Sequence, residues 1–260
     1  MKVIKVNLPK NMKSADIHLF ADLHIGDKHC DKELIKRRIE AVKNNPNAYC
    51  ILNGDIMNNA TKTSVSDSYS EEIPPMEQLE TFVDLFEPIK DKILAITQGN
   101  HENRTYIKEG IDLTAVAAKQ LGLIDRYSKT GAVIFLKIGE HKLASCGKRV
   151  PLVYSFYTIH GSGGGRKEGA KAIRLADMAS IIDVDCYIHS HTHLGMVMKQ
   201  AFYRTDMSNG TVKMVDKLFV NTSAQLDYGG YGEAFEFKPS SKDCPVIHIS
   251  GTDKVFNATL

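Results

Sequence analysis

The sequence lacks the features that mark several large classes of protein. Its 33 basic and 31 acidic residues leave a formal net charge of only +2, so bulk electrostatics do not indicate a nucleic-acid-binding surface. Any nucleic-acid site would have to be a local patch. The five cysteines are odd in number and form no CxxC pair, which argues against a disulfide framework and against a zinc knuckle. We therefore expect reduced, mostly buried thiols.

Long apolar runs are also missing. No stretch approaches the roughly 18 apolar residues of a membrane span, and residues 1–7 are too polar for the apolar part of a signal peptide. The glycine-rich segment 161–167 lacks the G-x-x-x-x-G-K-[ST] spacing of a nucleotide P-loop. With 43% hydrophobic and 25% charged residues, the chain predicts a cytoplasmic protein without a membrane partner, folded as one domain over residues 1–260.

What the first half does contain is an alternation of short apolar segments with longer amphipathic ones. Residues 17–21 predict a buried strand and residues 31–44 a helix, and the pattern continues with strand 48–52, helix 76–89 and strand 92–97. Such alternation indicates βαβ units in an α/β protein with a parallel or mixed sheet. In these folds the functional residues collect at the carboxyl ends of the strands.

The second half is predicted to be richer in β-structure. One hairpin is predicted from residues 132–138 and 142–146, and another from residues 197–205 and 212–220, each around a turn that contains glycine. The second hairpin belongs to a β-rich C-terminal part, residues 194–260.

Two segments favour irregular backbone. Residues 61–75 are rich in Ser, Thr, Asp and Pro and predict an exposed loop beside the substrate. The tail from Tyr228 is rich in glycine and proline. Its aromatic residues Tyr228, Tyr231 and Phe235 could stack on bases, although packing anchors are the commoner use of such residues.

Five short motifs follow predicted strands or lie in adjoining loops: Asp22-Leu-His24, Gly54-Asp55, Gly99-Asn100-His101-Glu102, His160-Gly161 and His189-Ser-His191-Thr-His193. Each motif alone is a weak signal. Alternate residues of an extended segment share a face, so the D-x-H and H-x-H spacings suit chelation. The ordered set of carboxylate, imidazole and amide groups suits a first-row divalent cation such as Mn, Fe, Ni or Zn.

In this order the motifs resemble the D-x-H, G-D, G-N-H-[ED], H and G-H-x-H pattern of the calcineurin-like metallophosphoesterase superfamily, over about residues 22–193. The resemblance implies a four-layer α/β/β/α sandwich, and it leaves room for membership of a phage or bacterial nuclease-like branch. Ser190 departs from the pattern, because the family usually has glycine before the first histidine of the last motif. The departure removes no ligand but would require a close-packed loop to relax.

The resemblance also implies seven ligands to two divalent metal ions: Asp22, His24, Asp55, Asn100, His160, His191 and His193. Asp55 would bridge the two ions, because a carboxylate between two cations offsets their repulsion. Asp22, His24 and His193 would hold one ion, and the remaining three residues would hold the other. Manganese is the expected metal, with Fe, Ni, Zn and Mg as alternatives, because this donor set accepts several ions.

The chemistry implied by the resemblance is hydrolysis by a hydroxide shared between the two metals, whose pKa falls toward 7 on coordination. Asp55, Asn100 and His101 would act at the reacting group, with His101 protonating the departing alkoxide. Glu102 would either orient His101 by accepting its second N–H or cap the loop.

Residues next to the motifs have secondary roles in this prediction. Asn53 and Asn58 flank the Asp55 loop and could support the bridging carboxylate. A structural role is favoured for His189. Arg104 and Arg166 are predicted to contact the substrate phosphate, Arg166 from the glycine-rich basic segment.

The predicted activity is metal-dependent hydrolysis of a phosphoester, with a phosphodiesterase or nuclease favoured by the basic segment and the aromatic tail. A phosphomonoesterase or protein phosphatase is the alternative. A non-catalytic metal-bound scaffold is a third hypothesis, although a complete ligand set and an intact His101 argue against it. The expected partner is a phosphoester substrate, with nucleic acid or nucleotide in first place. The oligomeric state stays open, and a homodimer through the β-rich C-terminal part is one option.

Overall fold

Strands and helices alternate along the first half of the chain, and strands dominate the second half. The computed structural model describes residues 1–62, 64, 71–142, 147–163 and 165–260, with only the backbone described for Tyr231. The strands of the described part are β1 (Lys2–Asn7), β2 (Ser14–Phe20), β3 (Ala48–Asn53), β4 (Ile93–Thr97), β5 (Tyr127–Ser128), β6 (Ala132–Lys142), β7 (Arg149–Thr158), β8 (Cys186–His189), β9 (Met196–Asp206), β10 (Thr211–Asn221), β11 (Val246–Ser250) and β12 (Phe256–Thr259). The α-helices are α1 (Lys32–Asn44), α2 (Pro75–Phe86), α3 (Asn100–Glu109), α4 (Leu113–Gln120), α5 (Glu168–Asp177) and α6 (Gly230–Ala234).

Two six-stranded sheets face each other and carry helices on their outer surfaces. One sheet has the strand order β1-β6-β7-β8-β10-β9, and the other has the order β12-β11-β2-β3-β4-β5. Apolar side chains from both sheets, among them Ile17 and Ile134, form the core between them. Helices α1, α2 and α4 cover the second sheet through residues such as Ile35 and Phe82, and α5 covers the first through Leu175. The predicted four-layer α/β/β/α sandwich is confirmed.

The parallel strands of both sheets bring the sequence motifs to one end of the sandwich. Strands β2, β3, β4 and β5 are parallel neighbours, and so are β7, β8 and β10. Each of the five motifs has its metal-ligand candidates two to four residues beyond the end of β2, β3, β4, β7 or β8. The carboxyl ends of parallel strands therefore gather these loops at one rim, as the βαβ pattern predicts.

The structure corrects the prediction for the first hairpin. Strand β6 runs through residues 132–142 instead of turning at Gly139, and it pairs antiparallel with β7. The register shifts between Ile138 and His141, and Gly139 has φ +56, so the glycine marks an irregularity within a strand and not a hairpin turn. Residues 143–146 lie outside the described part of the chain. The second predicted hairpin is confirmed by β9 and β10.

The prediction of an irregular tail is only partly right. Helix α6 is short, but β11 and β12 add two antiparallel strands to the edge of β2. Ile247 and Ile249 face the core between the sheets, and His248 faces outward. This period-two pattern is the signal of a strand with one buried face. Of the predicted loop 61–75, residues 63 and 65–70 lie outside the described residues. No helix among the described residues is long and apolar enough to cross a membrane.

Asn53 links the two sheets just below the rim that carries the motifs. Its side chain is fully buried. The amide nitrogen donates to the Ile159 carbonyl (2.9 Å) and to Ser190 Oγ (2.7 Å). The amide oxygen accepts from Thr97 Oγ1 (2.8 Å) and Thr158 Oγ1 (2.7 Å). One side chain at the end of β3 thus uses all four of its hydrogen bonds and joins strand ends from both sheets.

We expect Asn53→Ala to lower the free energy of unfolding by about 3 kcal/mol, because it leaves several buried polar groups without partners. Urea denaturation of the metal-free protein measures the effect. Asn44→Ala, at an exposed site near the end of α1, is the matched control and should change stability by less than about 0.5 kcal/mol. A similarly small change for Asn53→Ala would contradict the linking role.

Candidate metal centre

The side chains of the motifs converge at the rim between the two sheets. Three groups could each hold a metal ion, with ligand atoms all within 4.8 Å of one another: Asp22, His24 and His193; Asp55, His160 and His191; and His24, Asp55 and His101. The first two groups match the two sides of the predicted centre. Asp55 belongs to two of the groups, and its position between them suits a bridging carboxylate. The described residues therefore include clusters that are able to bind metal.

Short distances join the imidazole nitrogens to the carboxylates. His193 Nε2 lies 3.3 Å from Asp22 Oδ1, and His160 Nε2 lies 3.1 Å from Asp55 Oδ2. Asn100 Oδ1 lies 3.1 Å from His160 Nε2, so the structure brings Asn100 to the same side as His160. All seven predicted ligands thus meet at one place.

The unsatisfied atoms of this cluster fit a cation. Asp22 Oδ1 is buried and accepts no hydrogen bond, whereas Oδ2 accepts from the His191 amide (3.1 Å) and from Thr222 Oγ1 (3.3 Å). A buried carboxylate oxygen without a donor costs free energy, which a metal ion would offset. His24 Nε2 and His193 Nε2 face each other at 3.4 Å, and a cation between them would accept both lone pairs. Carboxylate, amide and imidazole donors suit borderline divalent metals.

Hydrogen bonds on the far side of the rings direct the proper nitrogens toward the centre. His160 Nδ1 donates to the Asn53 carbonyl (2.8 Å), and His24 Nδ1 lies 3.2 Å from Asn58 Oδ1. A carbonyl oxygen can only accept, so each Nδ1 carries a proton and each Nε2 is the nitrogen that faces the centre, where a metal would bind. Asn53 and Asn58 therefore support the imidazoles directly, and not the Asp55 carboxylate as predicted.

Burial and mutual contacts set the charges of these groups. Burial, with the nearby His101 as a second cause, lowers the pKa of His24 to about 3. Burial also lowers the pKa of His191. Burial alone would raise the pKa of Asp55, but His160 and His101 hold it well below its usual range. The pairing with Asp55 overcomes burial and raises the pKa of His160 to about 10. Without metal, His160 therefore also carries a proton on Nε2, which a metal ion would have to displace.

The backbone of the site is strained at the ligands themselves. Among the described residues, seven that are not glycine have φ between +46° and +66°: Asp22, His24, Asp55, Asn59, His191, His193 and Glu236. Five of them are predicted metal ligands. Left-handed backbone costs a non-glycine residue roughly 1–2 kcal/mol, and such strain concentrates at functional sites.

The glycines of the second and third motifs are required by close packing. A Cβ on Gly54 would lie 2.7 Å from the Gly99 Cα, and a Cβ on Gly99 would overlap the carboxylate of Asp55. The two loops therefore touch backbone to backbone. This contact brings Asn100, at the start of α3, next to the Asp55 loop.

His101 is held by the same loop. Its main-chain N–H donates to Asp55 Oδ1 (2.9 Å), and its Nδ1 donates to the Asn58 carbonyl (2.7 Å). Arg104 donates to His101 Nε2 (3.0 Å) and to the Asn58 carbonyl (3.3 Å). Burial lowers the pKa of His101, so its Nε2 is an acceptor in this arrangement. Arg104 lies beside the candidate leaving-group acid.

Of the two alternatives for Glu102, the structure favours loop capping. The fully buried carboxylate accepts from the main-chain N–H groups of Asp55 (3.2 Å), Met57 (2.9 Å) and Gly99 (3.0 Å). Burial, with Asp55 as a second cause, raises the pKa of Glu102 to about 7. Since His101 Nδ1 donates to Asn58, Glu102 does not orient that ring.

Ser190 fits where the family usually has glycine. It is fully buried, its Oγ accepts from Asn53, and its N–H donates to the His160 carbonyl at 3.0 Å. The expected relaxation of the loop is thus replaced by a specific hydrogen bond. His189 Nδ1 lies 2.9 Å from Asn221 Oδ1, and a Cβ on Gly161 would overlap its ring.

The remaining predicted contacts lie along the tail. The exposed Arg166 guanidinium lies 5.3 Å from the centroid of the Phe237 ring, and Tyr228 Oη donates to the Phe237 carbonyl (2.9 Å). Phe235 is about half exposed, and the side chain of Tyr231 lies outside the described part. These contacts do not bring Arg166 to the metal ligands.

Sequence reasoning missed two residues that contact the centre or its supports. Thr222 follows the end of β10, which is parallel to β8, and donates to Asp22. The strand end was a usable signal for it. Glu71 accepts from Asn58 Nδ2 (2.5 Å), and nothing in its sequence context indicated that contact.

The strain at His191, whose φ is +66°, predicts that glycine is a better replacement there than alanine. We expect His191→Gly to be more stable than His191→Ala by about 1 kcal/mol in urea denaturation of the metal-free protein. His160 has no positive φ, so His160→Gly should instead be less stable than His160→Ala by about 0.5–1 kcal/mol. If the glycine and alanine variants have the same order of stability at both positions, the result would contradict backbone strain at His191.

The chain is similar to known proteins through a family model and through distantly related structures. A model of the calcineurin-like phosphoesterase family matches residues 17–195. A metallophosphoesterase from Sphaerobacter thermophilus is 10% identical, with a TM-score of 0.41 over 94% of this chain and 87% of that one. The nuclease MPE of Pseudomonas putida is 12% identical, with a TM-score of 0.35 over 94% and 87%. Vps29 of Chaetomium thermophilum is 12% identical, with a TM-score of 0.39 over 94% and 96%.

No curated protein matches the chain. The family match spans well over half of the chain and includes every predicted metal ligand. On that basis, the chain belongs to the calcineurin-like phosphoesterase family, in which phosphoester hydrolysis and a pair of divalent metal ions are the family-level properties.

Proposed function

We propose that this protein is a dinuclear metal-dependent phosphodiesterase whose substrates are nucleic acids or nucleotides. The observation that carries the proposal is the convergence of the carboxylates and imidazoles at one rim, with Asp55 shared between two groups. The buried Asp22 Oδ1, which accepts no hydrogen bond, adds an oxygen ligand for a cation. Asp22, His24 and His193 hold one ion, Asp55 bridges, and the remaining predicted ligands hold the second.

The two ions supply positive charge for the phosphate oxygens and an activated water for attack on phosphorus. Manganese is the proposed metal. Asp55 has a second task in addition to metal binding, because its Oδ1 accepts from the His101 main-chain N–H and so fixes the start of α3. The position of the candidate acid therefore depends on the position of the proposed bridging carboxylate.

His101 and Arg104 form the leaving-group side of the proposed site. His101 can donate a proton from Nε2 only after that nitrogen has been protonated, since Nδ1–H is already directed at the Asn58 carbonyl. An anionic phosphate beside the ring opposes the effect of burial and favours the charged imidazole. Arg104 donates to the same Nε2 and would turn to a phosphate oxygen when the ring becomes charged.

Basic side chains beside the last motif favour a diester over an isolated phosphate group. Lys171 Nζ donates to the Thr192 carbonyl (2.7 Å), between the ligands His191 and His193. Arg174, on the same helix, lies against Gly163, because a Cβ there would meet its guanidinium. Two cations on a helix that contacts a metal-ligand loop suit the neighbouring phosphate of a polynucleotide.

The first test is hydrolysis by chelator-stripped protein after addition of Mn²⁺, Ni²⁺, Zn²⁺ or Mg²⁺. We expect metal-dependent cleavage of bis-p-nitrophenyl phosphate to exceed cleavage of p-nitrophenyl phosphate. Asp55→Asn should lower the number of bound metal ions and should lower activity at least about 100-fold, because the bridging charge is lost. His248→Ala, which removes a histidine bonded to Asp16 on β2, is the matched control and should retain activity.

The outcomes separate the rival functions. A preference for the monoester would favour the phosphomonoesterase or protein phosphatase. Two bound ions with no activity on either ester would favour the scaffold. Full activity and occupancy in Asp55→Asn would contradict the bridging carboxylate.

The acid role of His101 has its own test. We expect His101→Ala to bind two metal ions and to lose little activity on an ester with an activated aryl leaving group. It should lose about 100-fold or more on an alkyl or nucleoside leaving group, because only a poor leaving group needs the proton. Rates for a series of leaving groups measure this difference. Equal losses across the series would contradict a general acid.

A further inference from the structure

We propose that Glu71 is a positioning residue that fixes which nitrogen of His24 carries the proton, acting through the side chain of Asn58. The inference rests on the proposed metal centre, since His24 Nε2 must be free to bind the ion. Glu71 lies beyond Asn58, and its described contacts run to Asn58 and Gln78.

The three residues form a chain of hydrogen bonds that ends at the metal ligand. Glu71 Oε1 accepts from Asn58 Nδ2 at 2.5 Å. Asn58 Oδ1 lies 3.2 Å from His24 Nδ1. Asn58 is 4% exposed and His24 is 4% exposed, so water does not replace these contacts. The orientation of one buried amide therefore determines what His24 Nδ1 meets.

The carboxylate dictates that orientation. An ionised carboxylate only accepts hydrogen bonds, so Asn58 must turn its NH₂ toward Glu71 and its oxygen toward His24. An oxygen at that position requires a proton on His24 Nδ1 and leaves the Nε2 lone pair facing His193 and the candidate metal site. A reversed amide would place NH₂ against Nδ1. The proton would then move to Nε2 and block the metal.

Gln78 anchors the other oxygen of Glu71. Its own amide cannot reverse, because its Oε1 accepts from the Asn59 N–H (2.8 Å) and its Nε2 donates to the Ile73 carbonyl (2.9 Å). The same Nε2 donates to Glu71 Oε2. Gln78 is fully buried on α2, and a Cβ on Gly26 would overlap its amide. Glu71 thus accepts from Gln78, whose amide orientation is fixed by other contacts, and from Asn58, whose amide orientation Glu71 determines.

Main-chain contacts tie Glu71 to the first ligand loop. Asp27 and Glu71 form an isolated antiparallel bridge, and the Glu72 N–H donates to the Gly26 carbonyl at 2.8 Å. Gly26 has φ +106, a conformation that favours glycine. The loop that follows His24 is therefore paired with the segment that contains Glu71, the residue proposed to control the proton of His24.

The fixed roles give a sharp expectation for Glu71→Gln. The new side chain must turn its oxygen toward the anchored Gln78, so its NH₂ faces Asn58. Asn58 must then reverse and direct its own NH₂ at His24 Nδ1. We expect the affinity for one of two Mn²⁺ ions to fall about 10- to 100-fold, while the second ion binds as in the wild type.

Glu72→Gln is the matched control. Glu72 is adjacent in the chain, but its carboxylate pairs with Lys32 at the surface (2.5 Å). Its variant should bind both Mn²⁺ ions with wild-type affinity. Titration calorimetry with Mn²⁺ alone measures both affinities without any substrate.

A double variant restores the pattern with its polarity reversed. In Asn58→Asp with Glu71→Gln, the new carboxylate can accept both from the new glutamine NH₂ and from His24 Nδ1–H. We expect the lost Mn²⁺ affinity to return to within about threefold of the wild type. Asn58→Asp alone places two carboxylates at hydrogen-bond distance and should not bind Mn²⁺ with wild-type affinity.

Long-range ¹H–¹⁵N spectra of the metal-free protein provide a readout that a merely structural role would not move. They should show the proton of His24 on Nδ1 in the wild type and in the double variant, and on Nε2 in Glu71→Gln. Unchanged Mn²⁺ affinity in Glu71→Gln, no recovery in the double variant, or weaker binding with the proton still on Nδ1 would each overturn the proposal. A wild-type protein that binds no Mn²⁺ would instead overturn the metal centre on which it rests.

Discussion

Two fully buried carboxylates, Asp22 and Asp55, impose the constraint on which the rest of the structure depends. A buried ionised carboxylate costs several kcal/mol unless charges and hydrogen-bond donors surround it. The partners of the two carboxylates come from both sheets: His160 follows β7, His193 follows β8, and His101 lies in the first turn of α3, after β4. Neither sheet alone offers enough partners. The sandwich is therefore closed at this rim by the need to surround two charges, in addition to the apolar core below.

The strained backbone follows from the same constraint. Asp22, Asp55 and His191 each lie two residues beyond a strand end, have left-handed backbone and contact groups that follow strands of the opposite sheet. The free-energy cost, about 1–2 kcal/mol at each residue, is borne by contacts that cannot shift. Asn53 and Glu102 provide such contacts, because each is fully buried and binds groups from at least two loops.

The sequence predicted the parts of this arrangement that are local. Strand, motif and helix follow one another within a few residues around Asp22 and Asp55, so periodicity and spacing indicated the βαβ units and the grouping of the motifs, while the sandwich was implied by the family resemblance. The prediction failed where a distant segment decided the outcome. Gly139 reads as a turn until β7 is seen to pair with β6 on both sides of it, and the sequence left Glu102 open between orienting His101 and capping the loop until three main-chain N–H groups were seen to donate to it. Contacts such as that between Glu71 and Asn58 depend on side-chain roles across loops, for which the sequence has no periodic signal.

Charge explains how a nearly neutral chain could bind the proposed polyanionic substrate at this rim. Without metal, the two negative charges of Asp22 and Asp55 exceed the positive charge of His160, whose pKa is raised to about 10, so the proposed centre repels phosphate. Two divalent ions would reverse the sign of the site and leave the adjacent Lys171 to extend the positive region along α5. Substrate affinity is then conditional on metal loading, and the net charge of +2 says little about it. The electrostatic attraction belongs to the assembled centre, whose ligands the fold gathers from separate strand ends.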